Sequence, residues 1–373
     1  MSSPNKLTFI EVARVVGILA VVLVHTFEQT VEQAANTPVY QFLSPLIRFV
    51  VPMFFIISGY VMGIHHRNPG YRVDIGSFWQ RRFYTLVVPF LAWNVIYMLI
   101  LEVANGQPIA DVQTLLSLLT GYMHLYYVFV LLQFLLLYSL LANHINGRVL
   151  LVCLALAAVS SIAFYALSGS LLWTLGPDEH QFEWRWGKLF FGWAVFFFWG
   201  LWLGYAPAAL ERLKRYQWWL LLATVVAYVP YVIMTHGQYA LFETFARDYF
   251  LLAGLPFQFL AATWLLALLY GLDARLRASA FFRRVASWGP YTFGVYVAHV
   301  AVLIGILVIW DRLVPSMPAG LEVVAVAGLT LLVTYGFVRL CLWPPLRLLG
   351  VILFGARGAT PRAKTAGAEK AGG

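Results

Sequence analysis

Long apolar stretches alternate with short polar gaps along this chain. About 20 apolar residues are needed for a helix to cross a bilayer. On that ruler the apolar runs fall near residues 7–27, 44–64, 83–101, 125–142, 149–168, 189–206, 216–235, 249–270, 290–310 and 321–343. The pattern predicts an all-α integral membrane fold of about ten transmembrane helices. The segment 112–121 is short, and reads as a separate interfacial helix ahead of the fourth run. No gap exceeds roughly twenty residues, so no soluble domain is expected within residues 1–354. From Gly355 onward the chain is rich in Ala, Gly, Lys and Arg. Residues 355–373 therefore read as a disordered basic tail.

The first run is predicted to remain as a helix rather than to be cleaved as a signal peptide. Glu11 and Arg14 interrupt what would be an uncharged core, and no small-residue cleavage site follows. Orientation follows from basic residues in the gaps. Alternate gaps, beginning with 65–82, together with the tail after residue 343 carry 17 Lys and Arg, against 4 in the others. Positive residues favour the cytoplasmic side, so both termini are expected there, which requires an even number of helices. The implied location is the inner (cytoplasmic) membrane, with lipid as the surrounding partner.

Composition agrees. The 373 residues are 61% hydrophobic and 11% charged, against about 25% charged in soluble domains. A water-facing surface cannot be built from so few ionic groups, whereas a lipid-facing one needs none. The net charge of +9 does not indicate a nucleic-acid partner. The basic residues sit in gaps between apolar runs, not in a groove-binding patch. Cys153 and Cys341 both lie inside apolar runs and suggest neither a disulfide framework nor a metal site.

Ionisable residues inside a spanning helix are costly and mark functional candidates. The first helix carries Glu11, Arg14 and His25, with Glu28 just beyond. Arg14 and His25 are eleven residues apart, three turns plus ~20°, so they share a face ~16 Å apart along the axis. Glu11 and Glu28 each lie three residues from a partner on that face. Two readings fit. In one, Arg14 offers a cation to an anionic donor arriving from the cytoplasm. His25 is then a base near the outer end, oriented by Glu28 as in a catalytic triad. In the other, Arg14 and Glu11 are a pair buried between helices, and His25 makes only an interfacial hydrogen bond.

Further candidates are His124, at the head of the fourth run, and His299, midway along the ninth. Each also reads as a helix-packing or interface histidine. His65 and His66 begin a basic loop and read as solvated. Trp184 and Trp186 flank Arg185 in an outer gap. They read as a sugar platform or as an aromatic belt. No His or carboxylate spacing suggests a metal site.

At these residues the sequence resembles acyltransferase family 3, multipass membrane acyltransferases. Phe9-Ile10-Glu11-Val12-Ala13-Arg14, then ten residues, then His25, is similar to the family's opening helix. Pro52-Met53-Phe54-Phe55-Ile56-Ile57-Ser58-Gly59-Tyr60 is similar to its second-helix signature, and brings in Ser58. Arg81-Arg82 followed by Val88-Pro89-Phe90 resembles its basic lead-in to the third helix. Here Arg82 is followed three residues later by Thr85, where many members have a second Arg. His124-Leu125-Tyr126-Tyr127 resembles a His-Leu-Trp-Phe segment. Tyr291-Thr292-Phe293-Gly294-Val295-Tyr296-Val297-Ala298-His299 resembles a late Ser-Phe-Gly-Ile-Tyr-Leu-x-His segment, and brings in Tyr296.

The resemblance spans nearly the whole chain. It implies transfer of an acyl group, usually acetyl, from cytoplasmic acyl-CoA to a hydroxyl of a cell-surface or lipid-linked carbohydrate. Acyl-CoA, acetyl-CoA in the usual case, would be a substrate, with no permanently bound cofactor. Arg14, Arg81 and Arg82 would then bind the donor, and His25, Glu28 and Arg14 would form the catalytic set. A glycan exporter or flippase without acyl transfer would also use ten helices and polar groups in mid-membrane.

Overall fold

The computed structural model describes residues 7–30, 38–103, 112–179, 186–242, 250–314 and 318–355. The tail expected at residues 355–373 lies outside the described residues from 356 on. Every described element is helical.

Among the described residues, nine helices are long and apolar enough to cross a membrane, and a bent pair raises the count to ten. We label the spans in chain order α1 (Thr8–Thr30), α2 (Phe42–His65), α3 (Ile75–Leu101), α4 (Met123–His144) and α5 (Gly147–Ser168). The bent pair follows as α6 (Phe190–Tyr205) and α7 (Pro207–Arg215), 102° apart. Then come α8 (Gln217–His236), α9 (Gly254–Ala278), α10 (Ala280–Leu313) and α11 (Ala319–Cys341). A shorter apolar segment, α12, occupies Pro344–Phe354. The sixth run thus becomes a 16-residue piece, ~24 Å long at 1.5 Å per residue. It turns at Pro207 into α7, whose Glu211, Arg212, Lys214 and Arg215 belong at a polar interface. Val112–Thr120 is a separate short helix ahead of α4, as the sequence predicted.

The third span begins eight residues before its apolar run. Asp74 caps it, accepting from the Gly76 amide at 3.1 Å, which satisfies one of the orphan N–H groups at a helix start. Arg81 and Arg82 therefore lie on a helix and not in a loop. A hydropathy window registers only the apolar part of such an element. The solvated reading of His66 is also corrected. His66 is buried, its Nε2 2.8 Å from the Tyr138 hydroxyl. Burial, then the neighbouring His65, holds its pKa below the ordinary histidine value.

The tightest helix pair is α2 against α6. Gly59 and Gly63 face Gly200 and Gly204, the small-xxx-small pattern that lets backbones approach in membranes, where apolar side chains gain nothing by leaving lipid. A Cβ at Gly59 would lie 2.1 Å from the Phe197 carbonyl oxygen, and one at Gly200 2.0 Å from that of Ile56.

The start of α1 is tied to the end of α9. The Phe9 amide donates to Asp273 Oδ1 at 3.1 Å, and Asp273 also pairs with Arg277. A carboxylate at a helix N-terminus satisfies a free N–H and complements the dipole. This junction sets the position of Arg14 and His25.

The alternating basic gaps carry a topology prediction. Reporter fusions after residue 355 and within 207–215 should read cytoplasmic, and one within 169–188 external. An external reading at 355 would make the number of spans odd.

Candidate active site

α1 is unbroken from Thr8 to Thr30, so the face expected from the sequence is realised. At its start Arg14 Nη1 lies 3.1 Å from Glu11 Oε1. Glu11 Oε2 presses toward Gly289, where a Cβ would sit 1.9 Å away. Glu11 and Arg14 line a cavity of about 540 Å3, bounded by Tyr291 and Gly294 of α10, by Phe354 at the end of α12 and by Gly355 after it. The pair is therefore both a structural contact and part of a cavity wall.

Further along the same face His25 Nδ1 lies 3.3 Å from Glu28 Oε2, with both side chains partly exposed. A neutral His25 facing a carboxylate carries its proton on Nδ1, which leaves Nε2 with a lone pair. Around it the structure assembles two histidines that the sequence placed on distant helices. The His25 ring centroid is 5.9 Å from that of His124 and 5.4 Å from that of His299, and those two are 4.7 Å apart. His25 is five residues before the end of α1, and His299 lies near the middle of α10. The cluster thus sits short of the C-terminal end of α1, within the bundle.

Several local features hold it there. Gly121 adopts φ 98° and Met123 φ 44°, left-handed values that break the chain before α4. Lys188 Nζ donates to the Gly121 carbonyl at 2.9 Å, and Asn94 Oδ1 accepts from the Tyr122 amide at 2.8 Å. His124 consequently enters on a 3-10 turn, at 5% exposure. The Tyr97 hydroxyl donates to the Val297 carbonyl at 3.0 Å and accepts from the Ala301 amide at 3.1 Å. It is inserted between a donor and acceptor that a regular α-helix would pair directly.

Tyr296 is the hub. Its carbonyl accepts from His124 Nε2 at 3.0 Å and from His299 Nδ1 at 2.7 Å. Its hydroxyl donates to the His124 carbonyl. Between this hub and Arg14 stands Tyr127, 5.5 Å from the Tyr296 ring and within interaction range of Ser58 and Arg14. Ser58 itself donates to the Phe54 carbonyl at 2.8 Å. A line of polar groups thus runs from the Arg14 cavity to the histidines.

The remaining candidates stand elsewhere. Arg81 Nε donates to the Ser77 carbonyl at 3.1 Å, and Arg82 lies 5.3 Å over the Phe78 ring. Neither lines the Arg14 cavity. Trp186 is 51% exposed, and Trp184 lies outside the described residues. Among the described residues, no group of His, Cys, Asp or Glu is arranged to hold a metal ion.

Sequence reasoning missed two participants, Tyr97 and Asn94, and one further buried ionisable residue. Tyr97 gave one signal, a hydroxyl in mid-run that needs a buried partner. Asn94 gave the same kind of signal. Arg48 is a buried cation in α2, inside an apolar run and a candidate on the same grounds as Arg14.

A family model described as an acyltransferase domain, that of acyltransferase family 3, matches residues 7–339. The chain belongs to acyltransferase family 3. It is therefore a multipass membrane acyltransferase. The match takes in α1, α2, α4 and α10, which carry Arg14, Ser58, His124, Tyr296 and His299. It stops before α12, whose Phe354 helps to bound the Arg14 cavity. No curated protein and no solved structure gave a significant match.

Proposed function

We propose that this acyltransferase moves an acetyl group from cytoplasmic acetyl-CoA to a hydroxyl of a cell-surface or lipid-linked carbohydrate, in the inner membrane. The observation that carries the reading is the bipolar face of α1: a cavity with Arg14 near the helix's N-terminal end and His25, engaged by Glu28, near its C-terminal end. Coenzyme A is polyanionic, and basic helices and gaps on that side attract it electrostatically. Its long thioester arm can enter the bundle while the nucleotide stays outside.

His25 Nε2 accepts the proton of the acceptor hydroxyl as the oxygen attacks the thioester carbonyl carbon. The tetrahedral oxyanion collapses, the C–S bond breaks, and the imidazolium returns its proton to the departing thiolate. Products are an ester and free coenzyme A thiol. Arg14 anchors the donor or compensates the oxyanion charge.

The test is purified protein with acetyl-CoA and an envelope glycan fraction. Thiol release matched by ester formation supports the reading. Glycan translocation without thiol release would replace it with an exporter.

Arg81 and Arg82 take the donor's phosphates on this reading. Replacing both by Ala is expected to raise KM for acetyl-CoA by roughly tenfold, with a smaller change in kcat. The effect should shrink at high salt. An unchanged KM in an active double variant would place donor capture on other cations.

A further inference from the structure

The Tyr296 carbonyl fixes two tautomers at once. A carbonyl has no proton to give, so His124 Nε2 and His299 Nδ1 must both be donors toward it. Their other nitrogens, His124 Nδ1 and His299 Nε2, then carry lone pairs. Both are buried and neither has a hydrogen-bond partner. His299 is fully buried and His124 nearly so. Two adjacent buried acceptors left without a donor are costly for the protein alone. They sit beside His25, whose own Nε2 is a third lone pair by the Glu28 contact.

We propose that His124 Nδ1 and His299 Nε2 form a subsite that accepts a hydrogen bond from a second hydroxyl of the acceptor. That hydroxyl neighbours the one His25 deprotonates. The subsite supplies only acceptors, so it recognises donors. The 4.7–5.9 Å triangle of rings suits hydroxyls on adjacent carbons. The ligand class is a vicinal diol, and a monohydric alcohol leaves the two nitrogens unpaired. A site built to pair a substrate hydroxyl discriminates strongly against an analogue that lacks it, because its own polar groups are then stranded. The inference rests on the acyl-transfer reading above.

The experiment uses the full-length protein with acetyl-CoA and two surrogate acceptors of similar size, 1,2-propanediol and 1-propanol. Ester formation is followed by mass and coenzyme A release by thiol titration. The wild type is expected to favour the diol by about 10- to 100-fold in kcat/KM. In His299→Leu, and in His124→Leu, that ratio should fall toward one. The ratio is taken within one preparation, so a change in the folded fraction cancels. Equal transfer to both alcohols by the wild type overturns the subsite while leaving acyl transfer standing. So does a preference that survives both substitutions together, which would mean the nitrogens hold only water. No thiol release with either alcohol from well-folded protein overturns the acyl-transfer reading, and the subsite with it.

Discussion

His25→Ala is expected to lower kcat by about 10²–10⁴, the usual contribution of a positioned general base. Its position on α1 argues that the loss would be chemical. The ring is partly exposed and its noted polar contact is with Glu28, itself partly exposed. Removing it strands no fully buried charge, so insertion and protein level should hold. His25→Gln is the sharper variant. It keeps a polar side chain of similar reach but cannot take up a proton, so it should fail almost as badly. Glu28→Gln should cost less, because it leaves the base in place and weakens only its orientation. Turnover is read by thiol release on matched amounts of monodisperse protein. Normal transfer by a well-expressed His25→Gln enzyme would remove His25 from the mechanism.

The second large effect is on folding. Gly200→Ala places a Cβ 2.0 Å from the Ile56 carbonyl oxygen and 2.7 Å from its carbon. These are backbone atoms of the facing helix and cannot rotate away, so α2 and α6 must separate. Overpacking usually costs about 1–3 kcal/mol and more where backbone must move, and this interface holds Ser58 and Phe55 against Tyr127. The expected result is a clear drop in the thermal aggregation midpoint in detergent, with lost activity. Gly328→Ala in α11 is the control, since nothing lies within 4 Å of a Cβ there. Equal midpoints for the two variants would show that the close approach of α2 and α6 is not needed.

The number of spans was legible because lipid imposes one requirement on every residue of a span, which is that it be apolar. Boundaries set by polar chemistry were less so. The third span begins at Ile75, eight residues before its apolar run, because Asp74 caps it. For the site, Arg14 and His25 were legible as a pair because helical periodicity alone puts them on one face. His124 and His299 could be suspected singly but not joined to His25. Their meeting depends on the left-handed break at Gly121 and on the crossing of α4 and α10, which periodicity within one helix does not encode. His66 misled because a basic gap reads as water-facing, while Tyr138 of another helix covers it.

The hydrogen bonds that hold His124 and His299 end on the backbone oxygen of residue 296, and a backbone oxygen has no codon. Saturation mutagenesis at that position would score mainly the phenol. Phenylalanine there removes the hydroxyl's bond to the His124 carbonyl and leaves the shared acceptor in place. A tolerant scan at 296 would thus understate its importance. The informative change is to the main chain. An α-hydroxy acid incorporated at residue 297 turns the intervening amide into an ester, whose carbonyl is a weaker acceptor. Both imidazoles would loosen together, without any side chain having been altered.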